Sequence, residues 1–251
     1  MAEFLHIVAP ETWVLFISFW SLVGATLATP TGRETIAAKN GESWILDTLC
    51  LFVQGAGVPL LQTVMITSLL AHLFPSSSNL LQIPPALAFL LCFVGIDYLY
   101  YWNHRILHSR KFWPIHVVHH TADQMDVFTT SRNTLWSSLF LVYLWVNGAM
   151  LYFLTDTSAY ISAITLTAVL DLWRHSPLQP SGAIAKILGW FLILPQDHCW
   201  HHSQDVYDVN FGANLNLWDK LHKTWYDSQH SPTQLGVPNK FSLPAKLLWP
   251  F

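Results

Sequence analysis

The chain has 251 residues, of which 52% are apolar and only 11% are charged, and its formal net charge is −3. A soluble domain carries roughly 25% charged residues, so this chain has too little polar surface to coat a water-soluble globule of its length. Twelve basic residues in a net-acidic chain also exclude the electrostatic footprint of a nucleic-acid-binding protein, and the composition predicts an integral membrane protein.

Five apolar stretches follow one another in chain order, and a helix needs roughly 20 apolar residues to cross a bilayer core of about 30 Å. The second stretch contains Gly55, Gly57 and Pro59, so we expect a kink or two helical pieces there. The last two stretches could instead form a hairpin that crosses only partly. The predicted spans are Thr12–Thr29, Trp44–Phe74, Ala86–Tyr101, Leu135–Leu154 and Ser158–Trp173.

All twelve Lys and Arg residues can be placed on one side of this topology. Because basic residues are enriched in cytoplasmic loops, this asymmetry predicts that the basic side is cytoplasmic. Five full crossings would then place the N-terminus outside. The basic side comprises Arg33–Lys39, His104–Arg132 and everything after Arg174, whereas 1–11, 75–85 and 155–157 contain no Lys or Arg.

The last quarter of the chain, from Gly189 to Phe251, is more polar than the rest and is typical of a cytoplasmic cap. Residues 183–194 could form a short interfacial helix before it, with Lys186 as the only charge. The predicted fold is therefore all-α, a polytopic transmembrane bundle of about four to five spans with a cytoplasmic, histidine-rich helical cap.

Histidine is unusually frequent, with thirteen residues against fifteen carboxylates, and nine of the thirteen are clustered. Helical residues three and four apart share a face, so a His-x-x-x-His pair can aim two imidazoles at one point. Each His-x-x-His-His group can likewise aim its first imidazole with both later ones. The topology, which uses no histidine, places all nine at one membrane surface. They are His104, His108, His116, His119, His120, His175, His198, His201 and His202.

These nine side chains predict a metal centre, since unmetallated imidazoles packed together would carry a large desolvation cost or repel when charged. One catalytic zinc takes three protein ligands and a structural zinc takes four, so nine suggest two metal ions. Imidazole suits zinc, copper, iron and nickel. The carboxylate base of a His-Glu-x-x-His hydrolase is missing, because Arg105, Val117 and Cys199 stand at that position. Redox chemistry on two irons fits better, and zinc could replace iron during purification.

Three polar residues near the histidines have open roles. Asp171 could be a metal ligand, an acceptor for the N–H of a ligand imidazole, or merely a partner of Arg174. Asp208 and Asn210 could orient ligand side chains, although a turn rich in Asn and Asp explains them equally well.

At these residues the chain resembles the sterol desaturase/fatty acid hydroxylase superfamily of membrane di-iron oxygenases. The resemblance covers roughly residues 90–230. It departs from the common pattern after Arg132, where Asn133 replaces a histidine, and at Asp171, where some members carry another histidine. The matching motifs are His104-Arg105-x-x-His108, His116-x-x-His119-His120, His175–Ser176, His198-x-x-His201-His202, Asp208-x-Asn210–Phe211–Gly212 and Trp218–Asp219–Lys220–Leu221.

The resemblance implies that the nine histidines bind two irons, which activate O₂ and abstract hydrogen from an unactivated C–H bond. The product would be an alcohol or, in some members, an alkene. Electrons would come from a separate protein, such as a cytochrome b5-like protein or a ferredoxin with its reductase. The resemblance also divides the chain into N-terminal transmembrane helices (1–83), a di-iron catalytic domain (84–230) and a C-terminal tail (231–251).

The expected function is therefore the hydroxylation or desaturation of a lipid, such as a sterol or a fatty acyl chain, that enters from the bilayer. The membrane would be a bacterial inner membrane or, in a eukaryote, the endoplasmic reticulum. The alternative is a histidine-rich membrane metal transporter or sensor without oxidase activity. Transport would predict ionisable residues along the middle of several spans, whereas the apolar stretches are nearly uncharged.

Overall fold

The computed structural model of the protein describes residues 9–228 and 230–250. This part of the chain is helical, its only β-structure being three isolated bridges, which confirms the predicted all-α class. Short 3₁₀ turns occur at His119–Thr121, Val127–Ser131 and Ser137–Phe140. The helices are α1 (Pro10–Ala28), α2 (Pro30–Ala38), α3 (Gly41–Leu73), α4 (Pro85–Leu107), α5 (Trp113–His116), α6 (Val142–Phe153), α7 (Ser158–Arg174), α8 (Gly182–Leu188), α9 (Pro195–His201), α10 (Leu217–His222) and α11 (Leu243–Leu248).

Local sequence sets the starts of several helices. Proline occupies the first position of α1, α2, α4 and α9, where its missing N–H would have no partner in any case. The Thr29 hydroxyl accepts from the N–H of Gly32 (3.0 Å), and the Asn40 side chain accepts from the N–H of Ser43 (2.8 Å). These two caps satisfy N–H groups at the starts of α2 and α3 and so define the turns between the first three helices.

Three helices, α1, α3 and α4, are long and apolar enough to cross a membrane. Helix α6 has 12 residues, which span about 18 Å and fall short of a bilayer core of about 30 Å. Helix α7 has 17 residues and spans about 25 Å. Among the described residues the predicted count of four to five full spans is therefore not confirmed, and three is the number supported by helix length.

In the fourth predicted span, Leu135–Leu154, the α-helix begins only at Val142. Asn103 of α4 explains the late start. Its amide nitrogen donates to the carbonyl of Phe140 (3.0 Å), and its side-chain oxygen accepts from the N–H of Val142 (3.1 Å). Asn103 therefore holds the preceding turn and caps α6 at the same time.

Helix α3 is one continuous helical run, where we expected a kink or two separate pieces. Its backbone forms π-helical turns at Val53–Gly57 and Gln62–Ile66, on either side of the short α-helical segment Val58–Leu61. That segment contains Pro59, and the wider turns accommodate its missing N–H without ending the helix.

Helices α6 and α7 form a hairpin whose tip meets the loop between α3 and α4. The N–H groups of Asn79 and Leu81 donate to the carbonyls of Tyr152 (3.1 Å) and Phe153 (2.8 Å), and the N–H of Thr155 donates to the carbonyl of Leu81 (3.1 Å). Helix α7 then packs along α1 and α4. The tip therefore lies at the opposite end of α4 from its two histidines.

Buried charges join the N-terminal helices to the histidine-bearing half of the chain. The Lys39 ammonium lies 2.7 Å from Asp47 and 2.8 Å from Asp126, and the Arg132 guanidinium lies 2.6 Å from Asp47. All four side chains are almost completely buried. Since removing one member of a buried pair leaves an uncompensated charge, this cluster locks α3 to the segment 126–132.

Segment 231–250, the predicted tail, runs across the cap. The N–H of Gly236 donates to the carbonyl of His202 (3.0 Å), and the N–H of Val237 donates to the carbonyl of His120 (2.6 Å). Helix α8 lies within the predicted interfacial segment and exposes Ile184 and Ile187. Its contact with a membrane surface remains a prediction.

Candidate metal centre

The nine clustered histidines come from four places in the fold and meet at one end of the bundle. One pair lies in the last turn of α4, and a single histidine follows α7. The other two groups lie on the helical stretch that begins with α5 and on α9. All are buried except His108, which is partly exposed.

Within the described part of the chain, the ligand nitrogens form two groups in which all atoms lie within 4.8 Å of one another. The Nε2 atoms of His104 and His116 are 2.9 Å apart, and those of His175 and His198 are 3.0 Å apart. Two nitrogens each about 2.1 Å from a metal and at right angles would be about 3.0 Å apart. The five-histidine group is His104, His108, His116, His120 and His201, and the four-histidine group is His119, His175, His198 and His202.

The two groups interleave along the chain in a way that the spacing did not predict. The His116 ring lies 4.9 Å from both His119 and His120, as expected for a shared face. Its ligand nitrogen nevertheless groups with His120 only, and His198 likewise groups with His202 but not with His201. Successive residues of a helix are about 100° apart, so the i+3 and i+4 side chains diverge and serve different groups.

Backbone carbonyls orient four of the rings through their Nδ1 atoms. His104 donates to Phe211 and His201 to Val209, both over 2.8 Å. In the other group, His119 donates to Arg132 (3.2 Å) and His175 to Asp171 (2.8 Å). Because a carbonyl can only accept, each bond puts the proton on Nδ1 and leaves the Nε2 lone pair free for a metal.

The chemistry of the buried nitrogens fits a metal. The Nε2 atoms of His108, His120 and His201 and the Nδ1 atoms of His198 and His202 have no hydrogen-bond partner within the described residues. Burial is the main cause that lowers the imidazole pKa values, to about 3 for His119, and neighbouring imidazoles lower several of them further. Neutral imidazoles with unused lone pairs are the form that binds metal ions.

Asp219 holds the loop that orients the five-histidine group, a role that the motif spacing did not predict. Its carboxylate accepts from the N–H groups of Phe211 (2.8 Å) and Gly212 (2.7 Å) and from the Thr224 hydroxyl (2.7 Å). Burial raises the pKa of Asp219 to about 6, against the opposing effect of these hydrogen bonds. A Cβ on Gly212 would lie 2.5 Å from the carbonyl oxygen of Leu215, so the loop requires glycine there.

The three polar candidates have distinct surroundings. The Asp171 carboxylate lies 2.6 Å from Arg174 and 3.2 Å from Nδ1 of His175, outside both ligand groups. Asp208 lies 3.7 Å from Nδ1 of His108 and is largely exposed. The Asn210 side chain bonds the backbone of residues 197 and 226 and touches no imidazole, and both Asp208 and Asn210 have positive φ. Both residues thus have the backbone conformation of a turn, and Asp208 also contacts a histidine, so an orienting role for either remains a prediction.

Two adjoining cavities extend from the clustered histidines into the space between the apolar helices. A small cavity of about 60 Å³ is lined by His104, His116, His119, His175 and His198. A larger one of about 390 Å³ extends between α1, α3, α6 and α7 and has mostly apolar walls. The two cavities share lining residues at their junction, among them Tyr100, Leu141, Asp171 and Arg174.

Comparison with known proteins gives a consistent picture. A sequence model of the fatty acid hydroxylase family matches residues 89–224, more than half of the chain. An alkylglycerol monooxygenase of Xenopus tropicalis is 28% identical over 138 residues, which cover 54% of this chain and 30% of the relative. Its counterpart in Homo sapiens is 27% identical over 149 residues, covering 58% and 32%.

An ornithine lipid hydroxylase, OlsE of Rhizobium tropici, is 28% identical over 189 residues, covering 72% of this chain and 54% of the relative. The chain thus spans about a third of the length of the alkylglycerol monooxygenases and about half of the ornithine lipid hydroxylase. No solved structure matches the chain with significance.

Proposed function

Because the chain belongs to the fatty acid hydroxylase family, we propose that it is a membrane-bound, O₂-dependent lipid hydroxylase. The observation that carries the proposal is the junction of a buried nine-histidine centre with an apolar cavity between apolar helices. The relatives are an alkylglycerol monooxygenase and an ornithine lipid hydroxylase, and both names specify a lipid substrate.

Two iron ions, when held by the nine histidines, would supply the redox chemistry that couples O₂ reduction to C–H oxidation. The balance is R–H + O₂ + 2 e⁻ + 2 H⁺ → R–OH + H₂O, and desaturation would instead yield an alkene and two waters. The two electrons would come from a separate one-electron carrier, such as a cytochrome b5-like protein or a ferredoxin with its reductase.

The residues of the chain contribute orientation and exclusion of water. Hydrogen bonds from Nδ1 to backbone carbonyls hold His104, His119, His175 and His201 with Nε2 directed away from the backbone. Burial of the histidines limits the access of water to the centre. Asp171 acts as an acceptor beside His175 and as the ion-pair partner of Arg174, rather than as a ligand.

The lipid would reach the centre from the bilayer, with its apolar chain in the larger cavity and its polar head at the cytoplasmic surface. The apolar walls of that cavity and its position between α1, α3, α6 and α7 support this route. The excess of Lys and Arg at the histidine end supports the cytoplasmic assignment. Labelling single cysteines introduced at exposed positions of α10 in intact and opened cells tests that assignment, which fails if they react only from outside.

The decisive experiment is metal analysis of detergent-purified protein from iron-supplemented cells. We expect about two irons per chain in the wild type. In a His119→Ala/His201→Ala double variant, which removes one histidine from each group, we expect loss of lipid oxidation and of at least the ion held by the four-histidine group. His222→Ala is the matched control, since His222 stacks on Tyr101 outside both groups.

A double variant that keeps its metal and activity would refute the proposal. Bound metal in the wild type without O₂-dependent oxidation of any lipid would instead favour the metal transporter or sensor. Zinc in place of iron would not decide between the two, so iron reconstitution precedes the activity assay.

A further inference from the structure

The larger cavity has mostly apolar walls, and α6 contributes a polar strip to them. Tyr143 and Asn147 of α6 are four residues apart, so both lie on the face of α6 that lines the cavity. Leu15, Val58 and Ile164 are typical of the remaining lining. Polar side chains are costly in such surroundings unless they find partners, so the strip needs an explanation.

Tyr143 presents a hydrogen-bond donor without a partner. Its hydroxyl is buried and contacts no acceptor within the described residues. Its ring stacks on Tyr100 with centroids 4.7 Å apart and an interplanar angle of 17°. Tyr100 lies in turn 5.4 Å from the ring of His104 and lines both cavities. The unused hydroxyl is therefore held close to the metal end of the cavity.

Asn147 offers a second donor, about 6 Å further along α6. The side chain is only 5% exposed, and its oxygen accepts from the hydroxyl of Tyr160 (2.9 Å). Its amide nitrogen donates to no acceptor among the described residues. Gln54 on α3, which is exposed, also lines the cavity, and its oxygen accepts from the hydroxyl of Ser138 (3.2 Å).

We propose that Tyr143 and Asn147 bind an acceptor oxygen within the chain of the lipid substrate. The Asn147 amide nitrogen can only donate and the Tyr143 hydroxyl can donate, so a carbonyl, ether or hydroxyl oxygen is the ligand group that satisfies both at once. A buried donor that stays unpaired costs more than the net gain of a hydrogen bond, so the strip selects against plain hydrocarbon chains. The substrate class is thus a lipid that carries an oxygen function along its chain, close to the oxidised carbon. This inference rests on the proposed function, because it assumes that the cavity holds the substrate.

The test is a binding series on the detergent-purified full chain. Octadecanoic acid is compared with oxo-octadecanoic acids in which a single carbonyl is moved stepwise along the chain, with dissociation constants from calorimetry. We expect a narrow window of adjacent positions that bind roughly 10-fold more tightly than octadecanoic acid, as two hydrogen bonds would give. Tyr143→Phe, which keeps the stacked ring, should reduce this advantage to about threefold, and the further change Asn147→Leu should abolish it.

Trp145→Phe is the control, because Trp145 lies on the same helix but is exposed. It should keep the full advantage of the oxo acids. Octadecanoic acid should bind Tyr143→Phe and the double variant at least as tightly as the wild type, because no donor is then left unpaired, and this binding reports an intact fold. The inference is overturned if no carbonyl position binds more tightly than the parent acid, or if the advantage survives in the double variant. Failure of the proposed function has a different signature, namely preserved oxo-acid binding without any O₂-dependent product.

Discussion

The five-histidine and four-histidine groups differ in how they are held and in what they face. In the five-histidine group, His104 and His201 donate to the carbonyls of Phe211 and Val209, in a loop held by Asp219. In the four-histidine group, His119 and His175 donate to carbonyls of residues that belong to buried ion pairs, Arg132 and Asp171. Three of the four members line the small cavity, against two of the five.

With one metal ion in each group, as the proposed function requires, this difference predicts that the two positions are not equivalent. A metal with fewer protein ligands keeps a coordination position open, which is the usual property of a catalytic site. The four-histidine group has fewer ligands and a larger share of its members in the cavity wall, so we expect it to be the position nearer the substrate. The five-histidine group would bind its ion more tightly and would support the ion in the four-histidine group.

The largest expected effects come from removing one ligand from each group. His120→Ala leaves four imidazoles in the five-histidine group, whereas His202→Ala leaves three in the other. Both should lower lipid oxidation by more than about 1,000-fold, because the two positions act as a unit. Their metal contents should differ: after a chelator wash, His202→Ala should retain about one ion per chain and His120→Ala close to two.

Elemental analysis and turnover on the same samples measure both effects. Equal metal loss in the two variants, or preferential loss in His120→Ala, would contradict the inequality of the two groups.

The sequence predicted the nine histidines and their common location, because helical spacing and charge asymmetry need no knowledge of tertiary contacts. It did not assign them to two groups. Helical geometry turns the neighbours His119 and His120 apart, but the partners that each one meets depend on the packing of α9 against them, which the spacing does not show. The length of α6 also could not be predicted from the sequence, because Asn103, which belongs to α4, determines where α6 begins. The sequence signal for the polar strip in the larger cavity was the presence of polar residues, such as Asn147, within apolar stretches.

The second prediction concerns the buried carboxylates behind the two groups. Asp47→Asn would leave Lys39 and Arg132 without their shared anion, and loss of one member of a buried pair costs about 3–5 kcal/mol. Asp219→Asn would weaken hydrogen bonds that the carboxylate accepts from neutral donors, at about 1–3 kcal/mol. Thermal unfolding in detergent should therefore show the larger fall for Asp47→Asn.

The comparison of the two histidine groups also predicts which group loses its metal ion in each carboxylate variant. Arg132 carries the carbonyl that orients His119, so Asp47→Asn should weaken the four-histidine position, whereas Asp219→Asn should weaken the five-histidine position. Combining each with His202→Ala tests this assignment, because only Asp219→Asn should then remove the remaining ion. The same metal content in both combinations would break the link between carboxylate and group.

The smallest expected effect separates two carboxylates that each lie beside Nδ1 of a histidine. Asp171 is 3.2 Å from His175 and pairs with the buried Arg174, whereas Asp208 is 3.7 Å from His108 with its side chain 73% exposed. Loss of a carboxylate that orients a ligand typically costs 10- to 100-fold in metal affinity or activity, so Asp171→Asn should lower activity by about that factor.

Asp208→Asn should lower activity by no more than about threefold, because water screens an exposed contact and replaces the carboxylate at little cost. Steady-state turnover of the two variants with one lipid substrate measures the ratio between them. An equal loss of activity in Asp208→Asn and Asp171→Asn would contradict this prediction. Exposure would then not determine how strongly a carboxylate orients its histidine. The five-histidine group would depend on its polar surroundings as much as the four-histidine group does.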